Sequence, residues 1–219
     1  MKRWLKRNQF VQRMATHESQ KDPRETVAEA LDFLECQRPK LMEPTRHQDY
    51  FINMDQTPIP FTFNSRKTLE IFGTKTINVR KSTNDTKRAT FAMTVTASGK
   101  VLKPLLVFKG KPGGRIEKRE FPLLPPNIVY ACQPNAWMDE DVMMKWVYTI
   151  LRPYVSNAPA NIIPLLLLDS YRCHMMGSVV GAIETLGVEV VHIPGGCTGL
   201  TQPVYVGVNK PFKCGLRRE

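Results

Sequence analysis

Residues 161–174, NIIPLLLLDSYRCH, constrain the fold more than any other stretch. Residues 162–168 are apolar throughout, with one proline, and the chain turns polar at Asp169. A continuous apolar run of this length fits a strand buried on both faces better than a helix. Open α/β sheets gather their chemistry at the carboxyl ends of such strands. Locally, a turn aspartate capping the next helix is the more economical account of Asp169. The rest of the chain decides between the two readings.

Downstream, Met175, Met176, Val179, Val180, Ile183 and Leu186 recur on one side of a helix, with Gly187 as a natural residue to end it. Residues 188–193 read as another strand. Residues 162–193 therefore make a strand–helix–strand unit, with parallel strands and a right-handed crossover. His192, among apolar neighbours, reads as a core or edge histidine rather than a ligand.

Upstream, Asp22, Pro23 and Glu25 form a helix start, as N-cap, first helical residue and capping box. Val27, Ala30, Leu31 and Leu34 extend it to about three turns with an apolar face. Residues 37–47, with prolines and charges, read as a linker. Residues 49–54 form a strand that ends at Asp55, where Pro58 and Pro60 impose an extended exit. A short strand is expected at 74–80. Residues 90–96 and 101–109, joined by a turn at 97–100, form an antiparallel hairpin. Residues 110–115, GKPGGR, lack the spacing of a nucleotide-binding loop and read as a plain basic loop. Residues 121–136 read as irregular. A helix follows from Asp139, with Val142, Met143, Trp146, Val147 and Ile150 on its apolar face and Pro153 ending it. Asp139, Glu140 and Asp141 suit its positive N-terminus, which is more economical than a metal site.

Charge narrows the partner. The chain has 31 Lys or Arg against 20 Asp or Glu, a net +11. Residues 66–120 hold 14 of those cations and 4 acids, a net +10. Clustering of this kind points to a polyanion, nucleic acid before an anionic membrane. The basic side chains singled out for such contact are Lys75, Arg80, Lys81, Lys87, Arg88, Lys109, Lys111 and Arg115. No apolar run is long enough for a membrane span, and the basic start lacks the apolar region of a signal peptide. The five cysteines at 36, 132, 173, 197 and 214 show no CxxC spacing, which argues against a zinc site or a disulfide framework.

If the strands ending at Asp55 and Asp169 are parallel neighbours, their carboxylates meet. Two adjacent carboxylates repel, and a hard divalent cation such as Mg²⁺ or Mn²⁺ relieves that repulsion. Paired metals then suit phosphodiester cleavage. Three stretches make the pattern specific: 53–58 (NMDQTP), 167–174 (LLDSYRCH) and 201–213 (TQPVYVGVNKPFK). With the intervening residues 87–110, they resemble the DDE-type transposase domain of the pogo/Tigger branch of the mariner superfamily. The resemblance spans 46–219 and implies an RNase H-like α/β fold, a mixed sheet flanked by helices. It implies metal-dependent DNA cleavage and strand transfer, DNA as partner, a nuclear location and Mg²⁺ or Mn²⁺ as cofactor. It leaves a homo-oligomer open. Residues 1–20 resemble the tail of a CENP-B-type helix-turn-helix, and 21–45 form the helix and linker between the two.

The same resemblance assigns Asp55 and Asp169 as the first two catalytic, metal-binding aspartates. The third aspartate of the family falls on Tyr205. A phenol, which titrates near pH ~10 in model compounds, is neutral at pH 7 and a poor ligand for a dication. Impaired catalysis is expected, and Asn209, one helical turn on, is not expected to rescue it. The chain starts after most of the expected helix-turn-helix and stops just after the third motif. A truncated copy of a mobile element, with a fold incomplete at its C-terminus, is the reading that follows. An active endonuclease and a co-opted, non-catalytic binding module are the two rivals.

Overall fold

Six strands build one mixed sheet: β1 (Phe51–Pro60), β2 (Arg88–Thr96), β3 (Leu105–Lys109), β4 (Val129–Gln133), β5 (Leu165–Asp169) and β6 (Glu189–Ile193). They lie in the order β4-β3-β2-β1-β5-β6. β1–β2 and β2–β3 are antiparallel, and β3–β4, β1–β5 and β5–β6 are parallel. This computed structural model describes residues 7, 23–61 and 87–216. The helix-turn-helix remnant (apart from Arg7), the cap Asp22, the strand at 74–80 and the side chains Lys75, Arg80 and Lys81 lie outside the described residues.

The parallel unit around residues 165–193 forms as its pattern requires. β5 starts just after Pro164, because proline cannot donate to a ladder and is excluded from a central strand. Leu166 and Leu168 face one core while Leu167 packs into a second cluster on the opposite face, so the strand is covered on both sides. The helix between β5 and β6 is shorter than the apolar stripe. A 3₁₀ turn, Arg172–Met175, precedes it and leaves Met175 exposed; the helix itself is Gly177–Thr185. Gly187 takes the left-handed conformation expected of a helix end, with φ 74°.

β1 does not end at Asp55. It runs on through Pro58 and Pro60, paired with β2 along its whole length. The amide of Phe61 donates to Lys87, and that of Ala97 to Phe51 on the same register. Odd-numbered residues of β1 therefore bond β2, and the missing N–H groups of Pro58 and Pro60 face the other way. β5 has already stopped there, so no ladder bond is lost.

The expected hairpin is present, although its second strand is only Leu105–Lys109. Residues 121–136 are not irregular throughout, because Val129–Gln133 forms β4 beside β3. Asp139 caps α2 (Glu140–Trp146) by accepting from the Val142 amide at 3.0 Å. Pro153 does not stop the helix. A wide turn, Val147–Leu151, intervenes, and α3 (Arg152–Val155) carries the axis past the proline. α2, the wide turn and α4 (Gly177–Thr185) cover one face of the sheet. There Trp146, fully buried, donates its indole N–H to Thr94 Oγ1 at 3.0 Å.

The other face carries α1 (Pro23–Leu41), the short α5 (Thr198–Thr201) and α6 (Asn209–Leu216). α1 is longer than expected and includes Pro39. Of its predicted apolar face only Ala30 is buried; Val27, Leu31 and Leu34 are exposed. An apolar cavity of 510 Å³ remains between α1 and the sheet, with Phe33, Leu34, Phe51 and Leu167 in its lining. The chain after α1 is tied down by Arg46, which pairs with Glu189 and donates to the Ile163 carbonyl at 2.9 Å. Gly207 and Pro211 do not interrupt the last helical run. A wide turn, Val204–Val208, leads directly into Asn209–Leu216, and Phe212 stacks on Phe91 with ring centres 4.6 Å apart.

Candidate carboxylate site

The sheet register brings the two aspartates together. β1 and β5 pair as Phe51↔Leu165, Ile52↔Leu166 and Asn53↔Leu167. Continued by two residues, that offset sets Asp55 level with Asp169, on the same face of the sheet. The apolar run forces β5 into the sheet interior, and β5 ends at Asp169, before β1 reaches its prolines.

The two carboxylates are held differently. Asp55 is 5% exposed and accepts from the Asn209 side-chain amide at 2.7 Å. Burial raises its pKa above the usual carboxylate range, and the negative charge of Asp169 adds to the rise. The Gln56 backbone and the Asn209 bond only partly offset this. Asp169 is also pushed up by burial, but its partners outweigh burial and hold it below the usual range. Chief among them is His174, whose Nδ1 lies 2.6 Å from Asp169 Oδ1; the Tyr171 amide donates to the same oxygen at 3.1 Å. Asp169 does not cap the following helix, whose start has no side-chain cap; its carboxylate organises its own turn and lies level with Asp55.

His174 is 1% exposed and bridges the two strands. The Gln56 amide nitrogen lies 2.6 Å from its Nε2. With that amide donating, Nδ1 carries the proton that Asp169 accepts. Neither His174 nor Gln56 was singled out from sequence. The available signal was a histidine five residues after a strand-end aspartate, on a turn too short to send it elsewhere. His192, read as a core or edge residue, is half-buried, with Nε2 3.2 Å from the His174 carbonyl.

The third motif packs across the same strands. Gln202 is fully buried and donates to the Met54 carbonyl at 3.2 Å, and the Val204 amide donates to Asn53 Oδ1 at 2.9 Å. These bonds dock the motif over Asp55. Tyr205 is 40% exposed, with its ring beside Gly199. The residue in contact with Asp55 is instead Asn209, whose Oδ1 is buried and unbonded. Among the described residues no three His, Cys, Asp or Glu side chains are grouped to hold a metal.

The basic side chains divide. Arg88 is level with Pro60, and extending the β2–β3 register sets Lys109 level with Arg88. Both lie at the end of the sheet where β1 and β3 finish, five residues beyond the level of Asp55. Lys111 and Arg115 follow on the next loop, and Lys87 precedes Arg88. In that loop the Gly113 amide, at φ 67°, donates to Glu117 rather than standing free.

The model of the DDE superfamily endonuclease family matches residues 86–219. The chain belongs to the DDE superfamily of endonucleases. Within it, the pogo transposable element with KRAB domain of Mus musculus is 31% identical over 180 residues, covering 80% of this chain and 28% of that protein. The Jerky protein of Mus musculus is 32% identical over 132 residues, covering 57% of this chain and 22% of that protein. The DDE chain thus spans about a quarter of the length of the curated relatives it matches. Among solved structures, the Mos1 mariner paired end complex with Mn aligns with 98% of this chain and 56% of that chain, at a TM-score of 0.66 and 12% identity. The Mos1 strand transfer complex aligns over 98% of this chain and 55% of that chain, at 0.63 and 14% identity. The fold is therefore that of an RNase H-like catalytic domain, and the family is the pogo/mariner type of DDE transposase domain. Among the described residues no helix is long and apolar enough to cross a membrane.

Proposed function

We propose that this chain is a transposase-derived DNA-binding domain, acting in the nucleus, whose DNA strand cleavage is impaired at the third acidic position. One observation carries the reading: the residue that touches Asp55 from the third motif is the neutral amide of Asn209, while Tyr205 sits half-exposed beside Gly199. The family relation and the carboxylate pair support the chemistry. The Arg88–Lys109 edge supports the partner. A relative in the same fold, Mos1, is known in a paired-end complex with the left transposon end (TM-score 0.56, 14% identity).

The donor set suits a divalent cation. Asp55 and Asp169 are level carboxylates; Asn209 presents its amide NH₂ to Asp55, and its Oδ1 is buried without a partner. Mg²⁺ and Mn²⁺ favour such oxygen ligands. When bound, a cation there stabilises charge on the attacking and leaving oxygens of a phosphodiester. The chain's own part is to set the charge of the two carboxylates. His174 and the Tyr171 amide keep Asp169 ionised. Asp55 gains its full charge only against burial and the field of Asp169. A third carboxylate at 205 would add the negative charge that a pair of dications requires.

The test is supercoiled-plasmid nicking with Mg²⁺ or Mn²⁺, the chain beside its Tyr205→Asp variant. We expect Tyr205→Asp to nick at least about tenfold faster, equivalent to ~1.4 kcal/mol of barrier. Robust nicking by the unsubstituted chain that Asp169→Ala abolishes would overturn impairment and establish an active endonuclease.

A further inference from the structure

We infer that the cleft between Trp137 and Tyr171 is a subsite for one unstacked base of a DNA strand, with Arg88 on the adjoining phosphate. The inference rests on the DNA-binding part of the proposed function and adds where a single nucleotide is held.

The cleft has a volume of 180 Å³, and its walls include Gln56, Thr57, Arg88, Thr90, Trp137 and Tyr171. Sites for whole small molecules run to roughly 300–1,000 Å³, so this one suits a single ring system. It shares neighbours with the carboxylates, which do not themselves line it. Gln56 follows Asp55 and bonds His174; the Tyr171 amide bonds Asp169, and the Tyr171 ring stands edge-on to His174 at 5.8 Å. A nucleotide in the cleft would be separated from the carboxylates by Gln56, Tyr171 and His174.

Two features mark the walls as built. Trp137 is 54% exposed, an uncommon state for the largest apolar side chain. It is displayed by a tight turn that the structure pins from several sides. The Gln133 side-chain oxygen accepts from the Asn135 amide at 2.6 Å and the Trp137 amide at 3.0 Å, and Thr90 Oγ1 donates to the Ala136 carbonyl at 2.6 Å. Ala136 is held at φ 55°, the one non-glycine residue among those described with a left-handed backbone. A non-glycine residue held there costs about 1–3 kcal/mol, which its surroundings must offset. Tyr171 is also exposed, at the opposite wall. Exposed aromatic rings flanking a cation are the combination that grips single-stranded nucleic acid: bases stack on the rings irrespective of sequence, and the cation takes the backbone. A base still paired in a duplex cannot enter such a cleft without leaving its stack.

The test is binding of a fluorescein-labelled single-stranded oligodeoxynucleotide and of its duplex, by anisotropy, in EDTA at fixed low salt. Trp137→Ala is expected to weaken single-strand binding about 5- to 150-fold, the loss of one stacked base, with a smaller effect on duplex. Trp137→Phe retains a ring and should stay within about threefold of the parent. Arg88→Ala, which leaves the turn intact, should lower the salt slope of single-strand binding by about one. Melting curves check that each variant is folded. Single-strand binding by the parent that Trp137→Ala leaves unchanged, or that Trp137→Phe weakens as much as Trp137→Ala, overturns the subsite while leaving DNA binding intact. Binding by the parent to neither DNA overturns the DNA-binding reading itself, and the subsite with it.

Discussion

Asp55 and Asp169 sit level on neighbouring strands, yet the protein treats them in opposite ways. Asp169 stands at the end of β5 (Leu165–Asp169), where the chain turns and supplies donors: the Tyr171 amide and the His174 ring. Asp55 stands inside β1 (Phe51–Pro60), where the third motif supplies the amide of Asn209. One carboxyl is driven below its ordinary pKa and the other above it. Strand position alone does not make a metal-binding pair. The elements packed over the strands decide the charge: the β5 side supplies the His174 ring and the Tyr171 amide, and the helix side supplies the amide of Asn209.

The widest separation should appear once an acid stands at position 205. In a Tyr205→Asp background, Asp169→Asn is expected to lower Mg²⁺-dependent plasmid nicking by about 100-fold or more, ~2.7 kcal/mol of barrier. Equal nicking with and without Asp169→Asn would mean that the two sides do not act as one site.

Stability separates the sides next. His174→Ala removes a fully buried ring bonded on both nitrogens, leaving the Gln56 amide without that partner and Asp169 with only the Tyr171 amide, over a cavity. We expect a loss of about 2–3 kcal/mol in urea unfolding. Asn209→Ala removes one bond to a carboxyl that already tends towards its neutral form, and should cost about 1 kcal/mol. A larger loss for Asn209→Ala than for His174→Ala would reverse the comparison.

How far the sequence foretold this arrangement follows from which forces are local. The parallel unit was legible because a continuous apolar run and a helical stripe are strong periodic signals, and the Asp139 cap was legible because capping needs only three residues. The extension of β1 was hidden because a proline's effect depends on which side of the strand pairs, a property of the register and not of the residue. β4 (Val129–Gln133) was masked by the prolines before it, although Val129, Tyr130 and Cys132 are ordinary strand formers. Asp55 and Asp169 were found through their motifs. His174 and Gln56 were not, because their pairing depends on a turn and a register together. The exposure of Val27, Leu31 and Leu34 on α1 (Pro23–Leu41) was equally invisible, since periodicity shows an apolar face but not what covers it.

A smaller effect tests whether the helix side can be given a negative charge. Asn209→Asp sets a second carboxylate against Asp55. In EDTA at neutral pH the melting temperature should fall by about 2–4 °C, the equivalent of ~1 kcal/mol for a chain of this size. Excess Mg²⁺ should recover most of that loss and stabilise the variant more than the unsubstituted chain, because the cation binds the folded state more tightly where a further carboxylate faces it. Failure of Mg²⁺ to recover it would show that position 209 adds repulsion without a ligand.

The pH dependence of stability carries the subtlest form of the same contrast. Asp169 has a folded pKa below its ordinary value of 3.8, so its ionised form favours the fold. That contribution is present above pH 3.8 and is lost as pH falls through the lower folded value. Asp55 has a folded pKa above 3.8, so its neutral form favours the fold. Its contribution is present below pH 3.8 and is lost as pH rises through the higher folded value. Asparagine copies the neutral form in size and shape. Relative to the parent, Asp55→Asn should therefore gain stability as the pH is raised from 3.8 to neutrality, and Asp169→Asn should lose it over the acidic range up to 3.8 and stay lower above. Urea midpoints measured across that range separate the two. Parallel curves for the two variants would mean that the carboxylates share one environment, and that the contrast between strand end and strand interior is not what sets their charge.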